Sequence, residues 1–207
     1  AKVKMNGKYG YIDKTGTFVI PAQFDHANSY SEGLARVRID GKVGFIDKVG
    51  KINIPAQFND GGNFAEGLAV VGSPGKYRYI DKTGAYAIST QYLLASSFAE
   101  GLASVCVHFT QNQFAFIDKT GKIVLPAQAG YYAGDFSEGL AKVKIAGKIG
   151  FIDQTGKLVI PAQYDDAEPF SNGMSVVKIK GKYGFIDKTG KLVIPARFDE
   201  VNPRWLL

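Results

Sequence analysis

The chain repeats itself about every 34 residues, and this period constrains the fold more than any other feature of the sequence. An Ile-Asp pair opens the signature in each copy, with the aspartates at Asp13, Asp47, Asp81, Asp118, Asp153 and Asp187. A glycine follows each aspartate three residues later, and a proline follows that glycine after five more residues except in the third copy, which has Ser89. Periods of 20–50 residues are typical of stacked or ring-forming repeats, so a tandem array is predicted.

A second block divides the chain into whole units. An aromatic residue followed by x-Glu-Gly-Leu-Ala occurs four times and recurs in altered form at 170–175. Cutting before the last alanine of this block gives six units, 1–34, 35–68, 69–102, 103–140, 141–174 and 175–207. We therefore predict a single repeat domain over 1–207. The 25 glycines and the 13% of aromatic residues fit short strands joined by turns better than long helices.

The first hairpin of a unit is clearest in the second copy. Residues 35–39 alternate apolar and basic side chains, which is the period of a half-buried strand. Asp40-Gly41 follows, and this pair favours a two-residue hairpin turn in which both residues take a positive φ. A second strand over 43–47 is then predicted to pair with the first.

A second turn and a third strand complete the unit. Asp47 opens the turn, and its side chain is predicted to accept hydrogen bonds from backbone N–H groups two residues on. The third strand is predicted over 52–54. Pro55 is expected to end it, because proline has no N–H to donate to a ladder.

The fold class predicted from these units is all-β, with six three-stranded antiparallel meanders in tandem. The second and third strands are apolar on both faces, as at 184–186 and 192–194, so sheets are expected to cover them on both sides. A single meander is marginally stable in water, so neighbouring units must stack. Two arrangements fit: an open β-solenoid array, which we favour because no strand joins the two ends, and a closed six-bladed propeller-like ring, which the whole number of uncapped units favours.

The run Gly181-Lys182-Tyr183-Gly184-Phe185-Ile186-Asp187 and the block at 136–141 resemble the bacterial WG-repeat family. The tryptophan slot of that family holds other residues in every copy here, namely Tyr9, Val43, Tyr77, Phe114, Ile149 and Tyr183. The glycine that follows is present in four copies and is replaced by Arg78 and Ala115 in the others. The resemblance implies tandem non-catalytic modules, often in surface or extracytoplasmic proteins. A weaker likeness, limited to the hairpin, is to cell-wall-binding repeats that hold choline or sugars between aromatic rings.

The sequence predicts no enzyme, no cofactor and no metal. Acidic residues recur in nearly every unit, and a residue that recurs serves the unit itself, whereas a catalytic residue is needed once. No phosphate loop, nucleophile elbow or zinc-binding helix motif occurs. One cysteine, Cys106, and two histidines, His26 and His108, offer little for a metal site.

Function is best sought where the copies differ. The fourth unit has a longer first hairpin and a pair of tyrosines in its connection, and the third and sixth units also carry unusual aromatic residues. The candidate partner or ligand contacts are Phe109, Gln113, Tyr131, Tyr132, Tyr92 and Trp205. The alternative is that these rings fill the core of decayed repeats.

Charge and composition define the class of partner. The net charge of +6 favours acidic partners, but the lysines are spread along the chain, so no specific nucleic-acid binding is predicted. No apolar stretch approaches the ~20 residues that span a membrane, so no membrane insertion is predicted. We expect a binding or scaffolding module for a protein or polysaccharide partner, at the cell surface or otherwise outside the cytoplasm. The alternative is a structural subunit that self-associates through its chain ends into a filament.

Overall fold

The computed structural model describes residues 1–108, 113–126 and 132–202, with the backbone alone at 108, 132 and 133. The regular secondary structure of these residues consists of β-strands alone, and the strands form six small antiparallel sheets in tandem. The all-β fold of tandem meanders is therefore confirmed. The chain divides into two compact units, 1–97 and 98–207.

The first unit holds three sheets. The first sheet consists of β1 (Lys2–Met5), β2 (Lys8–Ile12) and β3 (Phe18–Phe24), and the second of β4 (His26–Ala27), β5 (Ala35–Ile39), β6 (Lys42–Ile46) and β7 (Ile52–Phe58). The third consists of β8 (Asp60–Gly61), β9 (Ala69–Gly72), β10 (Tyr77–Ile80) and β11 (Tyr86–Tyr92). The short strand β12 (Leu94–Ala95) comes next in the chain and is not part of these three sheets.

The second unit holds the other three sheets. Their strands are β13 (Ala103–His108), β14 (Gln113–Ile117) and β15 (Ile123–Leu125), then β16 (Tyr132–Ser137), β17 (Leu140–Ile145), β18 (Lys148–Asp153) and β19 (Leu158–Tyr164), then β20 (Asp166–Ala167), β21 (Met174–Ile179), β22 (Lys182–Asp187) and β23 (Leu192–Phe198).

An additional strand joins the predicted meander in the second, third, fifth and sixth sheets. These strands, β4, β8, β16 and β20, come from stretches that the sequence interpretation treated as connections. In the second sheet His26 pairs with Arg38, and Asn28 N donates to Arg36 O at 2.9 Å. The connection therefore satisfies its backbone groups on the strand that follows it. The sheet accordingly begins at His26, nine residues before the boundary predicted at Ala35.

Both predicted turns are confirmed. Asp40 and Gly41 have φ values of 49° and 76°, and Ile39 pairs directly with Lys42 across the hairpin. In the second turn, one oxygen of Asp13 accepts from Thr15 N at 2.8 Å and from the Thr15 hydroxyl at 2.6 Å. The second copy has Val49 in place of this threonine, and the Asp47 carboxylate accepts from the backbone N–H groups of Val49 and Lys51.

These turn aspartates couple stability to pH. The Thr155 hydroxyl holds the pKa of Asp153 below its ordinary value of 3.8, as the equivalent threonines do for Asp13, Asp81, Asp118 and Asp187. A carboxyl whose pKa is lowered by folding stabilises the protein above its unfolded pKa and loses that contribution as the pH falls through its folded pKa. We expect the thermal unfolding midpoint to fall below about pH 4. Asp153→Asn should show a shallower fall by circular dichroism, and an identical pH slope would contradict this role.

The third strand does not end at Pro55 as predicted. It continues to Phe58, and its pairing shifts between Phe45–Ile54 and Val43–Phe58, so that an irregular bulge carries the proline. Proline is tolerated there because its missing N–H is not needed by the ladder. Gly44 lies opposite this bulge, where a Cβ atom would stand 2.7 Å from Ala56 N. The glycine of the repeat signature thus makes room for the bulge.

The core lies between neighbouring sheets within each unit. Phe45, Ile54 and Phe64 are at most 1% exposed and pack with residues of the third sheet. A Cβ atom at Gly84 would lie 3.2 Å from the Ile54 side chain, so the turn of the third sheet rests on the core of the second. The second strands are buried as predicted. The third strands are not covered on both faces, and Ile52 remains 51% exposed because this strand forms the sheet edge.

Candidate functional site

The glutamates of the repeat signature serve the turns. Glu32 and Gly33 have φ values of 51° and 90°, and they form a tight turn closed by hydrogen bonds between Ser31 and Leu34. The Glu32 carboxylate accepts from Gly67 N at 2.9 Å, in the equivalent turn of the next copy. It also lies 3.1 Å from the Lys82 ammonium. A side chain that links successive turns explains why this acid recurs.

The second unit repeats the arrangement. Glu138 accepts from Gly173 N at 3.0 Å and lies 2.9 Å from the Lys188 ammonium. Lys188 and the Gly173 N–H hold the pKa of Glu138 below its ordinary value. Glu100 likewise accepts from Gly139 N at 2.9 Å. These carboxylates are thus engaged by the repeat itself.

The hairpin lysines have structural partners as well. Lys148 lies 2.6 Å from Asp165, and the same spacing of 17 residues brings Lys8 to Asp25 and Lys182 to Asp199. Such exposed pairs contribute little to stability, but they neutralise one another. These lysines therefore add little net positive charge to the surface of their hairpins.

Two lysines and two arginines lie near one histidine in the first unit. We call the following residues the basic cluster: Lys2, Lys4, Tyr9, His26, Arg36 and Arg38. The Lys2 and Lys4 ammonium nitrogens lie 5.5 and 5.2 Å from the centroid of the Tyr9 ring. That ring lies 5.4 Å from the His26 ring. Cation–π attraction of this kind favours positions of both ammonium groups close to the same ring.

The two arginines of the cluster are held by backbone carbonyls. Arg36 donates to Gly61 O, and Arg38 donates to Gly41 O at 2.6 Å. Asp60 lies 3.8 Å from Arg36 and 3.9 Å from Arg38. Within the part of the chain that the structure describes, it is the one carboxylate in ion-pair range of the cluster, so four cations face one anion and leave three net positive charges.

His26 lies in the electrostatic field of this cluster. Burial lowers its pKa, and Arg36, Lys2, Arg38 and Lys4 lower it further. Its Nδ1 atom is buried and makes no hydrogen bond to any described residue. Cations on two adjacent sheets therefore act on the same point, which disfavours a further positive charge there.

The equivalent place on the sixth sheet is acidic. A cleft of about 100 Å³ is lined there by Asp166, Glu168 and Glu200, together with Lys178 and Tyr183. The Lys178 ammonium lies 4.9 Å from the Tyr183 ring, as Lys4 lies over Tyr9 in the first sheet. Opposite charges at matching positions show that this surface differs from copy to copy. The cleft is smaller than the ~300 Å³ typical of small-molecule pockets.

The structure tests only part of the candidate set from the sequence. Phe109, Tyr131 and Trp205 lie outside the described residues, as does the side chain of Tyr132. Gln113 lies half-buried at the start of β14.

Tyr92 is a correction, because it is a core residue rather than an exposed ring. It is 6% exposed and its ring packs edge-on against Tyr79 at 6.3 Å. It ends the third strand of its sheet, the position that Phe58 fills one repeat earlier. The match with Phe58 was readable in the repeat alignment. The basic cluster was missed because each strand, taken alone, presents an ordinary solvated face.

The remaining candidates offer no site of their own. Cys106 is buried in β13. In the described ranges, no group of three or more His, Cys, Asp or Glu residues is placed to hold a metal ion. No helix in these ranges is long and apolar enough to cross a membrane.

Comparison with protein families and curated sequences gives one clear result. The model of the "WG containing repeat" matches the chain six times, at residues 9–42, 44–77, 77–108, 114–148, 149–183 and 183–203. No curated protein sequence matches the chain.

Solved structures with a similar fold include BamB from Moraxella catarrhalis, at 13% identity and a TM-score of 0.55 over 90% of this chain and 69% of that one. Kluyveromyces lactis Hsv2 matches at 12% identity and a TM-score of 0.58, with 90% and 69% covered. A eukaryotic initiation factor matches at 12% identity and a TM-score of 0.59, over 92% of this chain and 61% of that one. The chain therefore spans less than two thirds of that protein. BamB and Hsv2 are β-propellers, which are likewise built from small antiparallel sheets in tandem.

Proposed function

The chain belongs to the WG-containing repeat family, and from this premise we propose that it is a non-catalytic module that binds a partner through the surface of its repeats. The partner is a protein or a cell-surface polymer outside the cytoplasm, and the bound module acts in recognition or scaffolding. The observation that carries the proposal is that the recurring and the variable charged residues lie in different places. The recurring acids bond within and between turns, whereas the charges that vary lie on the sheet surfaces.

This proposal is tested by direct binding of the purified chain. We expect it to bind at least one member of an array of purified cell-surface polysaccharides and extracytoplasmic proteins, with the heat-unfolded chain as control. Binding by the unfolded chain alone, or to no member of the array, would contradict the proposal. A broad hydrolase screen on the same material should show no turnover, and turnover lost on changing a non-recurring acid such as Glu168 would favour an enzyme instead.

A second candidate function is self-association, and the sixth sheet favours it. Leu192 and Val193 are 40% and 51% exposed there, and Phe198 is 37% exposed although its counterpart Tyr164 is 3% exposed. All three lie on β23, the edge strand of the sixth sheet, and apolar side chains on an edge strand favour association with another chain. Light scattering across a concentration series should show oligomers that Phe198→Glu abolishes. A strictly monomeric chain at high concentration would exclude this candidate.

A further inference from the structure

We propose that the basic cluster of the first two sheets binds an anionic polysaccharide, a polymer whose sugars carry carboxylate or sulfate groups. This inference rests on the proposed binding function and names its ligand class. It is carried by two ammonium groups over the Tyr9 ring, which packs against His26, and by two arginines on the strand that pairs with His26. Asp60 is their one ion-paired carboxylate among the described residues.

The two lysines are the groups free to meet a ligand. Lys2 and Lys4 are exposed, and both ammonium groups lie over the ring of Tyr9. One oxyanion can lie between two such groups and accept from both. Arg36 and Arg38 stand on the neighbouring sheet, about 10 Å away by the usual spacing of packed sheets, and extend the positive field along the polymer.

The geometry disfavours a peptide as the ligand. Peptides are commonly held at a free sheet edge, in an apolar groove, or by arginines that fork an acidic group. On the second sheet β4 already pairs with the outer edge of β5. On the first sheet the outer edge of β1 is unpaired among the described strands, but β1 is only four residues long and carries two lysines, and short lysine-bearing edges disfavour strand addition. The guanidinium groups of Arg36 and Arg38 already donate to backbone carbonyls. What remains is hydrated positive charge without an apolar anchor.

The geometry also disfavours single-stranded nucleic acid. Grooves that bind such strands stack successive bases on aromatic rings. The cluster has two aromatic rings, Tyr9 and His26, which pack against each other, and two ammonium groups lie over Tyr9. A polymer that supplies regularly spaced acid groups, and needs no stacking, fits the surface better.

The sixth sheet supplies a matched control within the same chain. Lys178 lies over Tyr183 as Lys4 lies over Tyr9, but its neighbours are Asp166, Glu168 and Glu200. Lys4→Glu and Lys178→Glu therefore make the same change in net charge at equivalent positions in opposite fields. An effect of the local cluster separates the two variants, whereas an effect of net charge alone does not.

The experiment measures binding of the full chain to four probes at low salt: dextran sulfate, polygalacturonate, poly-glutamate and single-stranded DNA, with neutral dextran as the blank. We expect both acidic polysaccharides to bind more tightly than poly-glutamate or DNA. Lys4→Glu should weaken polysaccharide binding about fivefold and the Lys2→Glu/Lys4→Glu double variant about twentyfold. Lys178→Glu should leave it unchanged. Binding should vanish near roughly 1 M salt, where the screening length is about 3 Å.

Three results overturn the inference. Equal weakening by Lys4→Glu and Lys178→Glu reduces the effect to net charge. Tighter binding of poly-glutamate or DNA assigns the cluster to another polymer. Polysaccharide binding that is as tight in the double variant as in the original chain places the site elsewhere and leaves the proposed binding function intact. A chain that binds no member of the array rejects that function itself. Unchanged thermal unfolding of the variants, expected for exposed lysines, shows that the fold is preserved.

Discussion

Replacing Gly44 with alanine is expected to lower the free energy of unfolding by about 3 kcal/mol, at the upper end of the cost of an added methyl group in a packed interior. The new Cβ atom would stand 2.7 Å from Ala56 N and 2.7 Å from Ile54 O. Both are backbone atoms of the bulge that carries Pro55, so no side-chain rotation relieves the clash. Urea unfolding followed by circular dichroism measures the loss.

The matched control for Gly44→Ala is Ala115→Gly. Ala115 occupies the same slot of the fourth sheet, and it is fully buried there, so that sheet has accommodated a Cβ atom. Ala115→Gly should cost only about 0.5–1 kcal/mol, the ordinary penalty of glycine within a strand. A Gly44→Ala variant that unfolds like the original chain would show that the bulge can move, and that the glycine of the signature has another cause.

The features predicted correctly from the sequence are those that depend on near neighbours. The Asp40-Gly41 hairpin and the Asp47 turn are closed by bonds that span at most four residues. Whether Pro55 ends its strand depends instead on the register between two strands. A missing N–H matters only if the partner strand needs it, and the bulge removes that need.

The candidate site was harder to predict for the same reason. Tyr92 is a candidate contact because the third copy carries an unusual aromatic residue there, with a place in the core as the alternative. Its position at the end of the third strand buries it and selects that alternative. Lys4 and Arg38 stand 34 residues apart at equivalent positions, and each was an ordinary solvent-facing residue of its own strand. Only the packing of the first sheet against the second brings their charges to one histidine.

Truncating Phe64 to alanine is expected to cost about 4 kcal/mol, as for other fully buried phenylalanines. Phe64 is 1% exposed and packs edge-on against Phe45 with ring centroids 4.9 Å apart. Its carbonyl oxygen also accepts from the Ser31 hydroxyl at 2.6 Å, so the same residue fixes the connection to the turn of the preceding copy. A cavity at Phe64 therefore loosens two copies together. The loss is measured by urea unfolding.

Two further variants separate packing at Phe64 from a general sensitivity of the chain. Phe64→Leu keeps most of the volume and should cost less than about 1.5 kcal/mol. Phe170→Ala removes the equivalent ring in the second unit, where Phe170 packs on Phe151 at 4.9 Å, and should cost as much as Phe64→Ala. Equal losses would establish that the aromatic residue of the second block anchors every copy in which it is buried. A loss below about 1 kcal/mol for either truncation would contradict that role, since so small a value is typical of surface positions.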